Sequence, residues 1–347
     1  MAKTRRGMWM IRAAVGVVCV VITSAFVPWD TTYALFEPLP ATVAAEVGTA
    51  PKHGLDGMIV YVDKGGKAPE FYAAGWKDRQ AKIPADPHAL FKIASISKLY
   101  IAAATVKLVA AHRLSLDDTL AHLLPQYAGR IANADRITLR MLLRHRSGIP
   151  NYITSKGFEW DKTTDEGHVL GLVLDKPADF APDASYAYSN TNYLLIGMIL
   201  DKVLGYSHRD YIQTEIVKPL GLTHTYGLMR DAPADQIASG YAVGYDADMK
   251  PLDCAMPGGS MVASAEDVGV FLRALNTGKL LTPQEQAIYT SVYTYDHTGL
   301  WAGYESIARY HKDIDTVVVE FVSTSGDNAW MKADIEYGRI VKILHRR

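Results

Sequence analysis

Three short stretches carry residue types whose chemistry goes beyond packing. In "FKIASISKLYIAAATVKLVAAHRLSLDD" (Phe91–Asp118), Ser95 precedes Lys98 by three positions at the start of an apolar-faced helical pattern. Residues i and i+3 of a helix share a face, so the amine can reach the hydroxyl. A serine hydroxyl alone is a weak nucleophile and needs an adjacent base. Lysine becomes that base when desolvation and a nearby positive dipole lower its pKa. A helix N-terminus supplies the dipole, and its free N–H groups can steady a developing oxyanion. The same spacing also fits a serine cap followed by a surface lysine.

The second stretch is "YAYSNTNY", in which Tyr188, Ser189 and Asn190 form a polar turn before an apolar helix from Tyr193 to Leu204. A tyrosine beside a cation can relay protons, and an asparagine can hold an amide through its carbonyl and NH₂. Taken alone, the stretch fits better a simple helix cap at Asn190 or Thr191 with Tyr188 packing nearby. The third is "YDHTGLWAG", with His297, Thr298 and Gly299 ahead of the C-terminal strands. An edge strand there could pair with an extended substrate, and Gly299 permits close backbone approach.

The elements around these stretches predict a two-lobed α/β architecture. "GMIVYVDKGGKAPEFYAAG" reads as a β-hairpin, and the valine-rich run Thr316–Thr324 as a buried central strand. The tail has apolar residues at helical spacing with Asp327 as candidate cap, and "SAEDVGVFLRALNTG" opens with the Ser264-to-Asp267 spacing of a capping box. The middle of the chain is mostly helical signal broken by turns, including "HRDYIQTEIVKPLG" and "NTNYLLIGMILDKVLG". Strands near both termini around a helical middle predict one antiparallel sheet flanked by helices, with an inserted, mostly helical domain. The α/β lobe is expected over about 54–94 and 255–347, and the helical lobe over about 95–254. A cleft between such lobes is a common place for a site.

Composition limits the function classes. With 36 basic and 37 acidic residues the net charge is −1, which gives no electrostatic reason to expect nucleic acid as a partner. Basic residues Lys3, Arg5, Arg6 and Arg12 precede the apolar run Ala13–Val27, the order of an export signal. Two readings follow: a cleaved signal peptide over 1–34, with "TYA" at Thr32–Ala34 as cleavage site, or an uncleaved membrane anchor through residues 8–29. Either implies an extracytoplasmic location. Residues 35–53 lack clear periodicity and read as a linker. The two cysteines, Cys19 and Cys254, offer neither an internal disulfide in a processed chain nor a metal cluster. No Gly-x-Ser-x-Gly elbow, His-Glu-x-x-His helix or phosphate loop occurs, and the scattered histidines, His145 among them, lack metal-ligand spacing. No cofactor or metal is expected.

Taken together, Ser95-x-x-Lys98, Tyr188-x-Asn190 and His297-Thr298-Gly299 resemble the motifs of the serine penicillin-recognising family of D-alanyl-D-alanine carboxypeptidases, class C β-lactamases and esterase relatives. "ITLRMLLRHRSGIPNY", "VKPLGLTHT" and "GGSMVASAEDVGVFLRAL" are similar to that family's segments in the same order. The resemblance implies a β-lactamase/transpeptidase-like fold and a small-molecule or peptidoglycan-peptide substrate. It further implies Ser95 as acylated nucleophile, Lys98 and Tyr188 sharing base and acid duties, and Asn190 holding the substrate amide. His297, Thr298 and Gly299 would line the binding edge, with the backbone N–H groups of Ser95 and Leu300 as oxyanion hole. A D,D-carboxypeptidase-like hydrolase is the leading expectation. A β-lactamase, a short-ester esterase and a penicillin-recognising sensor without turnover are the alternatives. One departure stands out. Between "LLTPQEQ" and "HTG" only "AIYTSVYTYD" remains of a segment that is usually longer, so the sheet is expected to lack a strand or be thinner there.

Overall fold

The computed structural model describes residues 29–346. Six strands form the main sheet: β1 (Gly57–Lys64), β2 (Glu70–Asp78), β3 (Ile83–Pro84), β4 (His297–Trp301), β5 (Tyr304–His311) and β6 (Thr316–Val322). Their order is β3-β2-β1-β6-β5-β4, with every pairing antiparallel. The predicted hairpin is β1–β2, and β6 is buried along its whole length. Helices cover both faces of the two central strands, which is why "MIVYV" and "TVVVEFV" are continuously apolar apart from Thr316 and Glu320. In β6, alternate side chains serve opposite faces: Val318 and Val322 meet one core, Val317, Val319 and Phe321 the other.

Five longer helices frame the sheet: α1 (Ser97–Ala110), α2 (Asn190–Leu204), α3 (Ala265–Asn276), α4 (Pro283–Val292) and α5 (Ala329–His345). On one face α3 packs directly on the sheet, where a Cβ at Gly269 would lie 2.2 Å from the Tyr61 ring. Beyond α3, Tyr100 of α1 stacks on Phe271, with ring centroids 3.7 Å apart. The other face is closed by α5, through Tyr337, Ile340 and Ile343.

The helical lobe follows α1 and is built around α2. Its helices are shorter than predicted, because turn chemistry interrupts the apolar patterns. Leu120–Leu123 and Leu139–Leu143 start at Thr119 and Thr138, whose hydroxyls accept the N–H groups of His122 and Met141. "HRDYIQTEIVKPLG" splits into His208–Ile212 and a wider turn at Gln213–Val217 ahead of Pro219.

Three local expectations need correction. Much of residues 35–53 is part of the folded domain, since helix Val43–Val47 buries Val43 and Val47 against the α5 side of the sheet. That short pair of valines could not be distinguished from linker by periodicity. Asn328, not Asp327, takes the cap position of α5, and Asp327 sits at φ 46°. Ser264 does accept the Asp267 N–H, but the Asp267 carboxylate turns away to His224 N and Thr225 Oγ1, so the box is not reciprocal.

The basic-then-apolar leader lies mainly in residues 1–28, outside the described residues, and Trp29–Phe36, which includes "TYA", is helical. Among the described residues no helix is long and apolar enough to cross a membrane.

Candidate active site

Ser95 does not open the long helix. It lies in a 3₁₀ turn, Ala94–Ile96, that runs into α1 at Ser97. Ala94, immediately before it, has φ 46°, a conformation that costs a non-glycine residue free energy. The turn is held on several sides. Ile93 donates its N–H to Met261 O at 3.1 Å, and Ile96 returns to Ile93 O at 3.1 Å. Ser97 donates to Ala94 O at 2.6 Å and accepts the Met261 N–H at 3.3 Å, which gives this second serine a structural task.

The turn places Lys98 as the sequence spacing predicted, with Nζ 3.0 Å from Ser95 Oγ. The same nitrogen donates to Asn190 Oδ1 and to Gly258 O, each at 2.8 Å. Lys98 is fully buried, and burial lowers its pKa to about 7. The pattern of partners matters as much as the pKa. A neutral amine has two N–H bonds and one lone pair; two carbonyl acceptors engage the N–H bonds, so the lone pair is left facing Ser95. The site can therefore present a base to the hydroxyl near neutral pH.

Tyr188 reaches Ser95 Oγ from another direction, at 2.9 Å. Burial raises its pKa to about 12, so at neutral pH it keeps its proton. Tyr188 precedes α2, and Asn190 is the first residue of that helix, with Ser189 at the cap position. Asn190 is therefore not the cap. Its amide orientation is set by Asn151, whose Oδ1 accepts both the Asn190 backbone N–H at 3.1 Å and Nδ2 at 3.3 Å. That leaves Oδ1 of Asn190 toward Lys98.

The third motif forms the start of β4, the edge strand of the sheet, and the turn holding Ser95 lies directly against it. A Cβ at Gly299 would fall 2.4 Å from Ile93 O and 2.3 Å from Ser306 Oγ, so only glycine allows this approach. The tight Trp301–Tyr304 pairing makes Gly299 face Ser306 as a hydrogen-bonded pair. Antiparallel alternation then turns the backbone groups of Thr298 and Leu300 outward, away from β5. His297 meets Tyr293 OH through Nε2 at 2.9 Å, and burial together with the nearby Lys98 cation lowers its pKa to about 4. It is a neutral hydrogen-bonding group in this setting.

The shortened segment before His297 takes part in the site. Among the described residues no strand lies beyond β4, and α4 leads through Tyr293 straight to it. The end of α4 and the residues after it instead form one wall of a cleft of about 390 Å³, whose other walls include Tyr188, His297 and Arg144.

The structure thus joins Ser95, Lys98, Tyr188 and Asn190 into one hydrogen-bonded cluster, with His297, Thr298 and Gly299 on the strand beside it. Sequence reasoning missed three contributors. Asn151 follows a Ser-Gly-Ile-Pro turn, and nothing local reveals that its amide meets Asn190. Gly258 supplies only a carbonyl, which carries no sequence signal. His145, grouped with the scattered histidines, lies under Tyr188 with ring centroids 4.4 Å apart. Its Nδ1 accepts the Ser189 N–H at 3.2 Å and is 3.3 Å from Asn192 Nδ2. Burial, the Lys98 cation and His297 hold its pKa down to about 3, so it stays neutral and packs the loop that carries Tyr188.

Comparison with known proteins bears on the family and the fold. A family model described as Beta-lactamase matches residues 34–295. "Protein flp" of Staphylococcus aureus (strain MRSA252) is 30% identical over 191 residues, covering 55% of this chain and 38% of that protein. "Penicillin-binding protein 4*" of Bacillus subtilis (strain 168) is 29% identical over 212 residues, covering 59% of this chain and 45% of that protein. The chain thus spans less than half the length of the curated relatives it matches. Among solved structures, D-amino acid amidase from Ochrobactrum anthropi SV3, complexed with L-phenylalanine, superposes with a TM-score of 0.78 at 21% identity, covering 88% of this chain and 98% of that one. That likeness shows the same fold. With the family model spanning most of the chain and the serine–lysine cluster in its cleft, the protein belongs to the β-lactamase family of serine hydrolases.

Proposed function

We propose that the protein hydrolyses a peptide amide through an acyl-enzyme on Ser95, in the manner of a D-alanyl-D-alanine carboxypeptidase. The observation that carries this reading is the partnering of Lys98, whose two carbonyl contacts leave its lone pair for the Ser95 proton. In the forward step Ser95 Oγ bonds to the carbonyl carbon while its proton passes to Lys98. The carbonyl oxygen becomes an oxyanion, received by the backbone N–H groups of Ser95 and Leu300. The carbon–nitrogen bond then breaks, and the departing amine takes a proton through Tyr188. Water attacks the resulting ester, gives its proton to the same pair of residues, and releases a carboxylic acid with Ser95 restored.

Asn190, oriented by Asn151, would hold the substrate amide, and the outward backbone edge of Thr298 and Leu300 would pair with an extended chain. His297 and Gly299 line that edge. β-Lactams and short esters present the same carbonyl to the same groups, so their turnover is compatible with this machinery. An extracytoplasmic location is supported by the order of basic and apolar residues over Lys3–Val27.

Intact-mass measurements during incubation with a penicillin, and separately with an N-acyl-D-alanyl-D-alanine peptide, test the reading. The expected result is an adduct on the wild-type chain that decays with time, D-alanine release from the peptide, and neither in Ser95→Ala. Turnover that survives Ser95→Ala would exclude the mechanism. An adduct that never decays, with no peptide turnover, would identify a sensor.

A further inference from the structure

Two lysines flank Ser95 at equal distance in sequence, Lys92 three residues before it and Lys98 three residues after. The acyl-enzyme reading gives a task only to Lys98. Yet Lys92 is also buried, 6% exposed, and its hydrogen bonds all go to main-chain oxygens. Its Nζ donates to Lys250 O at 2.7 Å, to Met249 O at 3.4 Å and to Leu252 O. An ammonium has three donors, so the whole capacity of Lys92 is spent on one short stretch. Burial is costly for this cation and lowers its pKa to about 8, although Asp253 and Asp248 nearby work in the opposite direction. An apolar side chain of similar volume would avoid that cost, so filling space does not account for a lysine here.

The stretch that Lys92 holds leads straight to the other lysine. Residues 249–258 form no helix or strand of their own and are fastened from outside. After the Lys92 cage, Thr163 Oγ1 donates to Asp253 O at 2.8 Å, and Thr163 O accepts the Ala255 N–H at 3.0 Å. Arg209 donates to Ala255 O, and Pro257 rests on Gly197, where a Cβ would lie 2.3 Å from the proline ring. The segment ends at Gly258, whose carbonyl oxygen is 2.8 Å from Lys98 Nζ. It is thus a brace gripped by Lys92 at one end and by Lys98 at the other. Between the two lysines lies the turn with Ala94 at φ 46°, a conformation that persists only where its surroundings hold it firmly.

We propose that Lys92 is a positioning residue for the acylation of Ser95: its carbonyl cage locks the brace 249–258 and the Ser95 turn in one register, so that Ser95 Oγ and Gly258 O meet Lys98 together. The proposal rests on the acyl-enzyme reading of Ser95 and adds a residue that acts through the backbone it holds. Without the ammonium, Lys250 O and Leu252 O turn to water, which the half-exposed stretch around them permits. Global stability then changes little. Placement of the reacting groups suffers instead, and a shift of about 1 Å can cost about a hundredfold in rate.

The test compares the full wild-type chain with Lys92→Met and Lys92→Arg, following penicillin acylation of Ser95 by intact mass. Lys92→Met should lower the limiting acylation rate about tenfold. The penicillin concentration giving half that rate, and the denaturant midpoint, should stay close to wild type. Hydrogen exchange over residues 249–258 should quicken in the same variant. Lys92→Arg keeps the charge and should recover part of both changes. A role confined to stability would move the midpoint and leave the limiting rate of the folded protein intact, which would overturn the proposal. Unchanged exchange over 249–258 would overturn it too. If Lys92→Met does not fold, Lys92→Gln, which keeps a donor for one carbonyl, carries the same readings. A wild-type adduct that forms no faster than that of Lys92→Met would remove this proposal alone. Absence of any Ser95-dependent adduct in the wild type would remove the acyl-enzyme reading with it.

Discussion

Lys98 Nζ stands 3.0 Å from Ser95 Oγ, with its other two bonds, to Asn190 Oδ1 and Gly258 O, both at 2.8 Å. An ammonium in that position donates to all three oxygens. Loss of one proton converts the contact with Ser95 from donation to acceptance, and the other two are kept. Titration of this single buried nitrogen thus decides whether Ser95 faces a donor or an acceptor.

The pH profile of kcat/KM follows from this. Lys98 must be neutral to accept the proton, so activity should rise with pH through about 7 and then level. Tyr188, held up to about 12, should keep its proton across the usual working range. Measurement of kcat/KM from pH 5 to 9 checks the rising limb. A flat profile through pH 7 would exclude Lys98 as the titrating base. Lys98→Ala should lower kcat by about a thousandfold or more, and Tyr188→Phe by about a hundredfold.

Asn151 acts through Asn190. Asn151→Leu removes the acceptor of both Asn190 donors and frees the amide to turn its NH₂ toward Lys98. The expected loss is about ten- to a hundredfold in kcat/KM. Asn151→Asp retains the acceptor and should recover much of the activity. Its added negative charge near Lys98 favours the ammonium, so the rising limb should move to higher pH. Unchanged kcat/KM in Asn151→Leu would contradict this account.

Gly299→Ala is predicted to separate the edge strand from the turn that carries Ser95. The added Cβ would meet the backbone Ile93 O at 2.4 Å and the buried Ser306 Oγ at 2.3 Å, and the backbone carbonyl leaves little room to yield. A cost of about 1–3 kcal/mol in stability is expected from such overpacking. Penicillin labelling should fall further than the unfolding free energy does, since the displaced groups include the Leu300 N–H. Denaturant unfolding and acylation rate, measured on the same variant, separate the two effects.

Stability should decline toward alkaline pH because of acids under α5. Glu305 and Glu320 lie on the face of β5 and β6 that α5 covers, with Glu336 projecting from α5 itself. Both oxygens of Glu320 and one of each of the others have no hydrogen-bond partner. Burial raises all three pKa values, Glu305 to about 8 and Glu336 to about 9, while Arg309 lowers that of Glu320 and Arg339 that of Glu336. A raised folded-state pKa means the native protein binds more protons, so its contribution is complete below about pH 4.5 and is lost as pH rises through 8 to 9. Glu320→Met should raise the unfolding free energy at pH 8.5 by about 2 kcal/mol and flatten its decline. A Glu320→Met chain that loses stability as steeply as the wild type would contradict this account.

Local chemistry was legible in the sequence, and remote geometry was not. The Ser95–Lys98 pair is separated by one turn, so its spacing alone brings amine and hydroxyl together. The β1–β2 hairpin and helix α2 with its Gly205 stop were likewise written in short-range pattern. Residues 43–53 were not, because a pair of valines on a five-residue helix reads as linker until α5 covers it.

What only the tertiary structure decided is the set of partners that turns that pair into a site. Tyr188 meets Ser95 across 93 positions, and Gly258 meets Lys98 across 160. Asn151 fixes Asn190 from another loop, and the short segment before His297 becomes a cleft wall. Periodicity and spacing describe a chain over one or two turns. Contacts between distant residues depend on how lobes and strands return to one another, which a local pattern does not encode.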